Sequence, residues 1–477
     1  MTALDRADKF LWILLLLLVP ISASPLLPFG SGTLVRPLSF APALLILLLA
    51  AFRLIVLKQS PHGLNGGGWP LVLFTVYVVI GGLIFLSNAP DQAFKGQTPL
   101  DSFIRALATL VVGLVFYIAA RLNIRTSQDV RRALKYLFLG LSLSVTFAVL
   151  QVIAIVQRGT LLREVQVLTD LFAVHYAGLM NRAQGMTFEP SWLATQIILL
   201  MIPPLVARFL SRQAAPGEPA KRRNLPIALG GFAIALTGLL CAGSRFGLVA
   251  AVLIFLLAGA MALKEGRMVA ALAFIAVLLV GGAGIAAFGA LSAGAGAGYV
   301  VGPVAYLAEG SVDTNDQDLT TALSDTLEVA GRAASAQAAF NLWRDHVLFG
   351  VSLGNNYRYF GRYAPDWAYD TGLFASGTME GAAWLDPNSP EKGNAKNFFL
   401  RLLSETGLAG LVLFGLFFVR QIFQFRPQDK FFAYFRLTAA AALVFSFFNQ
   451  DSFADPCQWL VLVLCHEMGR LQSGVPA

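Results

Sequence analysis

The sequence predicts an all-α fold, a polytopic membrane helix bundle of about twelve transmembrane helices with one long outer loop before the last three. Three observations predict it. Of the 477 residues, 57% are hydrophobic and only 13% are charged, with a mean hydropathy of +0.67; soluble domains are about 25% charged. Apolar runs long enough to cross a bilayer as helices recur along the chain. Basic residues collect in alternate connections between those runs.

The spans fall at 10–28, 34–57, 69–87, 102–120, 134–157, 188–210, 225–243, 246–263, 267–289, 398–419, 431–449 and 456–470. The first passes through Pro20, Pro25 and Pro28 without a small-residue cleavage site, so it reads as a retained helix rather than a signal peptide. The last is short, and an eleven-span reading stays open. In domain terms, 1–289 carries nine helices, 290–397 forms the large outer loop, and 398–477 carries the last three helices. Cys241, Cys457 and Cys465 all lie in apolar runs and suggest neither a disulfide framework nor a zinc site.

Charge orients the bundle. Basic clusters at 121–135, 208–223 and 420–436 all fall on one side, with both termini, and acidic residues predominate on the other. Basic residues favour the cytoplasmic side, so both termini are expected there. Insertion topology then accounts for the net charge of +8 without any nucleic acid.

Two outer segments break the rhythm of short connections, 158–187 and 290–397. The longer one holds a helical pattern at 321–343. It also holds a loop dense in aromatics, among them Tyr357 and Trp367. Such rings serve equally as a platform for sugars or as an aromatic belt at the membrane surface.

No phosphate-binding loop, dinucleotide fingerprint, H-E-x-x-H or G-x-S-x-G motif occurs in a usable context. The four histidines, His62, His175, His346 and His466, are too scattered for a metal cluster. The chemistry that remains is arginines and carboxylates at outer span ends. Arg245 sits in a turn of a few residues between two spans, on the side that insertion does not favour for arginine. Snorkelling to lipid headgroups is the competing use of its charge. Arg182 precedes Glu189-Pro190-Ser191, which opens a span; Glu and Pro there also suit plain helix initiation. Arg332 and Arg344 flank the 321–343 pattern and fit solvated positions. Arg401 and Glu405 are four residues apart inside an apolar run, which favours a buried pair. Arg182, Arg245, Lys396 and Arg401 together suit a diphosphate, because guanidinium groups bind phosphate oxygens through paired hydrogen bonds.

Four patterns in this order carry a resemblance: R-A-Q-G-M-T-F-E-P-S-W-L-A at 182–194, G-S-R-F-G-L at 243–248, G-R-A-A-S-A-Q-A-A-F followed by D-H-V-L-F-G-V-S-L-G-N-N within 331–356, and K-N-F-F-L-R-L-L-S-E-T-G-L-A-G at 396–410. The chain resembles the O-antigen ligase / Wzy-type O-antigen polymerase superfamily of bacterial envelope enzymes. The resemblance implies a metal-independent, cofactor-free glycosyltransferase of the inner membrane that uses glycan carried on undecaprenyl diphosphate at the periplasmic face. It implies that Arg182 and Arg245 hold the diphosphate; Lys396 and Arg401, from their charge and place, are expected to assist. Ligases of the family usually carry a histidine just before Asn397; here that position is Lys396, which shifts the reading toward a polymerase. Glu189 is the first candidate for the general base and Glu405 the second. Arg344, Tyr357, Trp367 and Asn397 are the remaining candidates for substrate contact. Membrane lipid and a possible chain-length regulator are the further partners. A transporter or lipid flippase fits less well, since charges at mid-span are few.

Overall fold

A computed structural model describes residues 3–27, 35–59, 68–89, 92–157, 159–173, 182–212, 225–268, 271–272, 274–276, 316–370 and 392–474. Among them the chain is helical, with isolated β-bridges at Ala23–Arg36, Ala23–Ala173 and Phe94–Gln97. The helices are α1 (Ala3–Leu18), α2 (Phe40–Ile55), α3 (Trp69–Asn88), α4 (Pro99–Asn123), α5 (Ser127–Gln157), α6 (Gly159–Phe172), α7 (Pro190–Gln196), α8 (Ile202–Arg212), α9 (Leu225–Ala242) and α10 (Arg245–Lys264). Then come α11 (Asp316–Asp345), α12 (Phe360–Tyr363), α13 (Asp366–Asp370), α14 (Phe398–Phe423), α15 (Lys430–Asn449) and α16 (Pro456–Gln472).

Seven of these are long and apolar enough to cross a membrane: α3, α4, α5, the composite 190–211, α10, α14 and α15. α2 and 228–242 of α9 are shorter apolar helices. The protein is therefore an all-α, multi-pass membrane protein. Of the expected span at 267–289, the described residues 268, 271–272 and 274–276 are helical and 267 is not; the rest lies outside the described residues, as does 290–315.

The first helix departs from the expected span at 10–28. It starts at Ala3 and ends at Leu18. Pro20 explains the stop, since proline offers no N–H and its ring clashes with the preceding turn. The chain beyond it runs irregularly past Ser22 and Ala23, which bridges to Arg36 and Ala173. The outer segment 158–187, read as a connection, contains α6 packed back on α5.

Local chemistry sets several of the boundaries. Thr98 and Asp101 form a reciprocal capping box at the start of α4, with Pro99 in its first turn. Ser244 caps α10 by accepting from Gly247 N–H at 3.2 Å. Asn397 caps α14 through Leu400 N–H at 3.1 Å, and Asp455 caps α16 through Cys457 N–H at 3.0 Å.

α16 is the central pillar. Every residue from Pro456 to Arg470 is buried, with α4, α14 and α15 around it. Close approach there depends on a small residue: a Cβ on Gly113 would fall 2.3 Å from the Trp459 indole nitrogen. At the far end of α16, Glu467 is buried between Arg121 at 2.9 Å and Arg470 at 2.7 Å. Breaking such a buried pair costs about 3–5 kcal/mol, so this triad locks α4 to α16.

Antiparallel alternation brings a set of turns to one end of the bundle. They are the end of α1, the α3–α4 connection, the segment before α7, the α9–α10 turn, the start of α14 and the α15–α16 turn. The four sequence patterns come to this end.

Candidate active site

The segment 182–189 is held rigidly by its backbone. Gln151 on α5 accepts from the N–H groups of Gln184 (3.0 Å) and Gly185 (2.8 Å), and its amide donates to Gly185 O at 3.0 Å. Met186 N–H donates to Ser144 Oγ at 3.0 Å and Phe188 N–H to Ser22 Oγ at 2.8 Å. These polar groups are mostly buried, where an unpaired one would cost about 1–3 kcal/mol, so the loop has one stable arrangement. At its two ends, Arg182 and Glu189 are exposed.

Ala183 N–H donates to Cys241 O at 3.2 Å. That bond sets Arg182 beside the turn that ends in Arg245. Gly243 takes φ +54° to make this turn. Arg245 then opens α10, also exposed. A Cβ on Gly247 would fall 2.6 Å from Ala194 Cβ, so the first turn of α10 packs on α7 at Ala194. Arg182 and Arg245 thus stand on adjoining turns, and Glu189 precedes the helix on which the start of α10 packs. Glu189 stands at the position before α7 without capping it; its carboxylate accepts from Ser191 Oγ at 3.2 Å. Directly below, 197–201 forms a buried π-helical turn, a device frequent beside functional sites.

The third and fourth patterns meet in a broken helix. Within α14, Gly407 takes φ +66° and ψ −172°. The strap 346–351 fills the break: Val351 N–H donates to Ser404 O at 3.0 Å and Leu408 N–H to Val347 O at 2.8 Å. Tyr77 Oη lies 3.0 Å from Leu348 O and 2.8 Å from Thr406 O. Backbone freed inside a membrane must be re-paired by protein, and this strap does it.

Beside the break, Arg401 Nε lies 3.1 Å from Glu405 Oε2, the i, i+4 pair read from the sequence. The side chains are 15% and 2% exposed, and Glu405 also accepts from the Gly354 N–H. Arg401 donates in addition to Asp451 O and covers the Phe453 ring at 5.6 Å. Both groups are fully engaged inside the protein. This geometry suits Arg401 and Glu405 as struts for the α15–α16 turn more than as groups that meet substrate.

Asn449, at the end of α15, joins the two halves of the site. Its amide nitrogen donates to Thr195 Oγ1 at 3.3 Å, and its oxygen accepts from Arg332 Nη1 at 3.2 Å. Arg332 is half-buried rather than a solvated flank of α11. The sequence reading gives Arg332 a solvated position and does not single out Asn449 or Asp451; the Gly-Arg that opens the third pattern is the available signal for Arg332. Arg344 is exposed, about 18 Å further along α11 at 1.5 Å per residue, and joins none of these contacts by the bonds described.

The other expected residues divide by placement. Lys396 is half-buried at φ +48°, its N–H donating to Asn394 Oδ1 at 3.1 Å. The Asn397 side-chain oxygen is taken by the α14 cap. Tyr357 is buried, its hydroxyl 2.8 Å from Ser102 Oγ and its ring 5.9 Å from that of Phe94, so it packs the loop onto α4 instead of offering an open ring face. Trp367 is half-exposed and donates to Gln337 Oε1 at 2.9 Å, which ties it to α11. Among the described residues no three His, Cys, Asp or Glu side chains gather as a ligand set.

Residues 230–415 match the protein-family model described as O-antigen ligase. The match takes in the second, third and fourth patterns and bears out the resemblance to the O-antigen ligase / Wzy superfamily. The first pattern lies outside the matched stretch, yet its backbone is bonded to Cys241 within it. No curated protein matches the chain. The fold and this match together support a multi-pass membrane enzyme similar to glycosyltransferases of the O-antigen ligase or polymerase type.

Proposed function

We propose that the protein polymerises oligosaccharide repeat units carried on undecaprenyl diphosphate, at the periplasmic face of the bacterial inner membrane, for an O-antigen or exopolysaccharide. The observation that carries this reading is the 3.2 Å bond from Ala183 N–H to Cys241 O, which sets Arg182 and Arg245 on adjoining turns. Two exposed guanidinium groups, Arg245 at the start of α10 and Arg182 on the adjoining turn, suit a diphosphate at headgroup depth. In the reaction, a hydroxyl oxygen of an acceptor unit attacks the anomeric carbon of the donor glycan. The bond from that carbon to the diphosphate oxygen breaks, and the diphosphate leaves with both bonding electrons. Arg182 and Arg245 neutralise it without a metal. Glu189, exposed just before α7, takes the hydroxyl proton; Glu405, buried on Arg401, suits this less. Lys396 stands where ligases of the resembled family carry histidine, which favours the polymerase. A chain-length regulator is the expected further partner.

The ligase reading, transfer of finished glycan to lipid A core or another acceptor, is supported by the description of the matched family model. Deleting the protein in its host separates the two. Loss of a polymerase leaves single repeat units on the acceptor; loss of a ligase leaves long chains on the carrier lipid.

A further inference from the structure

A second basic cluster stands on elements that the Arg182–Arg245 turn does not use. It is built from Lys95 in the α3–α4 connection, Arg105 on α4, Arg358 in the strap's continuation and Lys392 before α14. Arg358 is fixed by donating to Gln97 O at 2.9 Å and to Gln92 O. Its guanidinium lies 5.9 Å from the centre of the Phe94 ring, and Lys95 Nζ lies 5.8 Å from the same ring. Lys392 Nζ lies 5.0 Å from the ring of Tyr357, which Ser102 holds in place. Among the described residues the carboxylate facing Arg105 and Lys392 is Asp101, whose Oδ2 also accepts from Thr98 N–H at 3.1 Å and Thr98 Oγ1 at 2.8 Å.

Positive charge outweighs the Asp101 carboxylate among these described residues, and half-buried cations of like charge favour binding an anion. Burial, then the charges of Arg105 and Arg358, push the Lys392 amine down to about 8. Beside the cluster, α4 turns an apolar stripe outward: Leu100, Ile104 and Val111 are 51%, 54% and 46% exposed. Spaced at i, i+4 and i+11, they share a helix face that acyl chains can cover.

We propose that this cluster binds the phosphate of a membrane lipid, with the Leu100–Ile104–Val111 stripe against its acyl chain. The cations supply the charge and the phenyl faces keep them oriented; the stripe distinguishes a lipid from a free phosphate. The inference does not depend on the reaction proposed above.

The test is native mass spectrometry of the full chain released from nanodiscs. One disc set contains phosphatidylcholine with phosphatidylglycerol, the other phosphatidylcholine alone, each with and without inorganic pyrophosphate. The protein is expected to retain phosphatidylglycerol in preference to phosphatidylcholine. Arg105→Gln with Lys392→Gln should lower that retention about 25-fold, at roughly fivefold per basic group. Arg182→Gln should leave it unchanged. Should the double variant melt early, Lys392→Gln alone is expected to lose about fivefold. Retention that both Gln variants keep in full would overturn the proposal, and so would equal retention of phosphatidylcholine. Displacement of phosphatidylglycerol by equimolar pyrophosphate would make the ligand a free phosphate group and also overturn it.

Discussion

Arg332 Nη1 donates to Asn449 Oδ1 at 3.2 Å, and the same amide donates onward to Thr195 Oγ1 at 3.3 Å. One side chain thereby ties the long helix of the outer loop to the helix that follows Glu189. The tie crosses 117 residues on one side and 254 on the other. It implies that α11 is a wall of the site, whose position helps set that of Glu189.

Asn449→Ala removes both bonds and leaves Arg332 and Thr195 without this partner. The expected outcome is a fall of about tenfold in polymer formation, with insertion and expression retained, from about 1.5 kcal/mol of lost positioning. Glycan length and amount on cells carrying the variant measure it. Asn449→Asp, which keeps the acceptor for Arg332, should recover part of the loss.

Glu189 and Glu405 should fail in opposite ways. Glu189→Gln removes an exposed carboxylate from the position before α7, and activity should drop by about 100-fold or more while the melting temperature holds. Glu405→Gln breaks a pair whose acid is 2% exposed, which costs about 3 kcal/mol or more and lowers the melting temperature. Thermal melting and turnover on the two purified variants check both statements. A Glu405→Gln protein of normal stability without activity would instead mark Glu405 as the base.

Gly407 cannot be replaced quietly. Its φ of +66° strains any side chain, and a Cβ would fall 2.2 Å from Leu348 O in the strap. Gly407→Ala should cost about 1–3 kcal/mol in backbone strain, with the clash added, and displace the strap. Lower yield of folded protein and faster proteolysis within 346–351 are the measurements.

Lys392 gives the second basic cluster a pH signature. Its amine is lowered from 10.5 to about 8. Between those values the unfolded chain binds the proton and the folded chain does not, so this residue's contribution to stability improves as pH rises from about 8 toward 10.5. Below about 8 it carries its charge at a cost. Thermal melting across that range, without anionic lipid, should show the rise, and Lys392→Gln should flatten it. Anionic lipid should oppose it by holding the amine charged.

Much of the fold was legible in the sequence because bilayer thickness imposes one length on every apolar run. α9, α10, α14 and α15 end within a few residues of their expected bounds. The first helix was misplaced because an apolar run continues past Pro20, while the backbone cannot. The Arg401–Glu405 pair was readable from helical spacing alone. The break at Gly407 was not, since a glycine in an apolar run equally marks close packing; only the strap and Tyr77 give it meaning. Arg332 and Asn449 were hidden for a related reason: hydrogen bonds across hundreds of residues leave no periodicity. Arg182 and Arg245 stood out because charge at a span end needs an account, and the backbone bond from Ala183 to Cys241 now puts their turns side by side.

The most direct test of the arginine pair is transfer by the purified protein from a lipid-diphosphate glycan donor to an acceptor unit, with no ion gradient present. Arg182→Gln and Arg245→Gln should each lose about 10–100-fold in rate, at about 1.5–3 kcal/mol for each charged hydrogen bond removed, with unchanged melting. Variants that melt normally and transfer at the original rate would contradict the account.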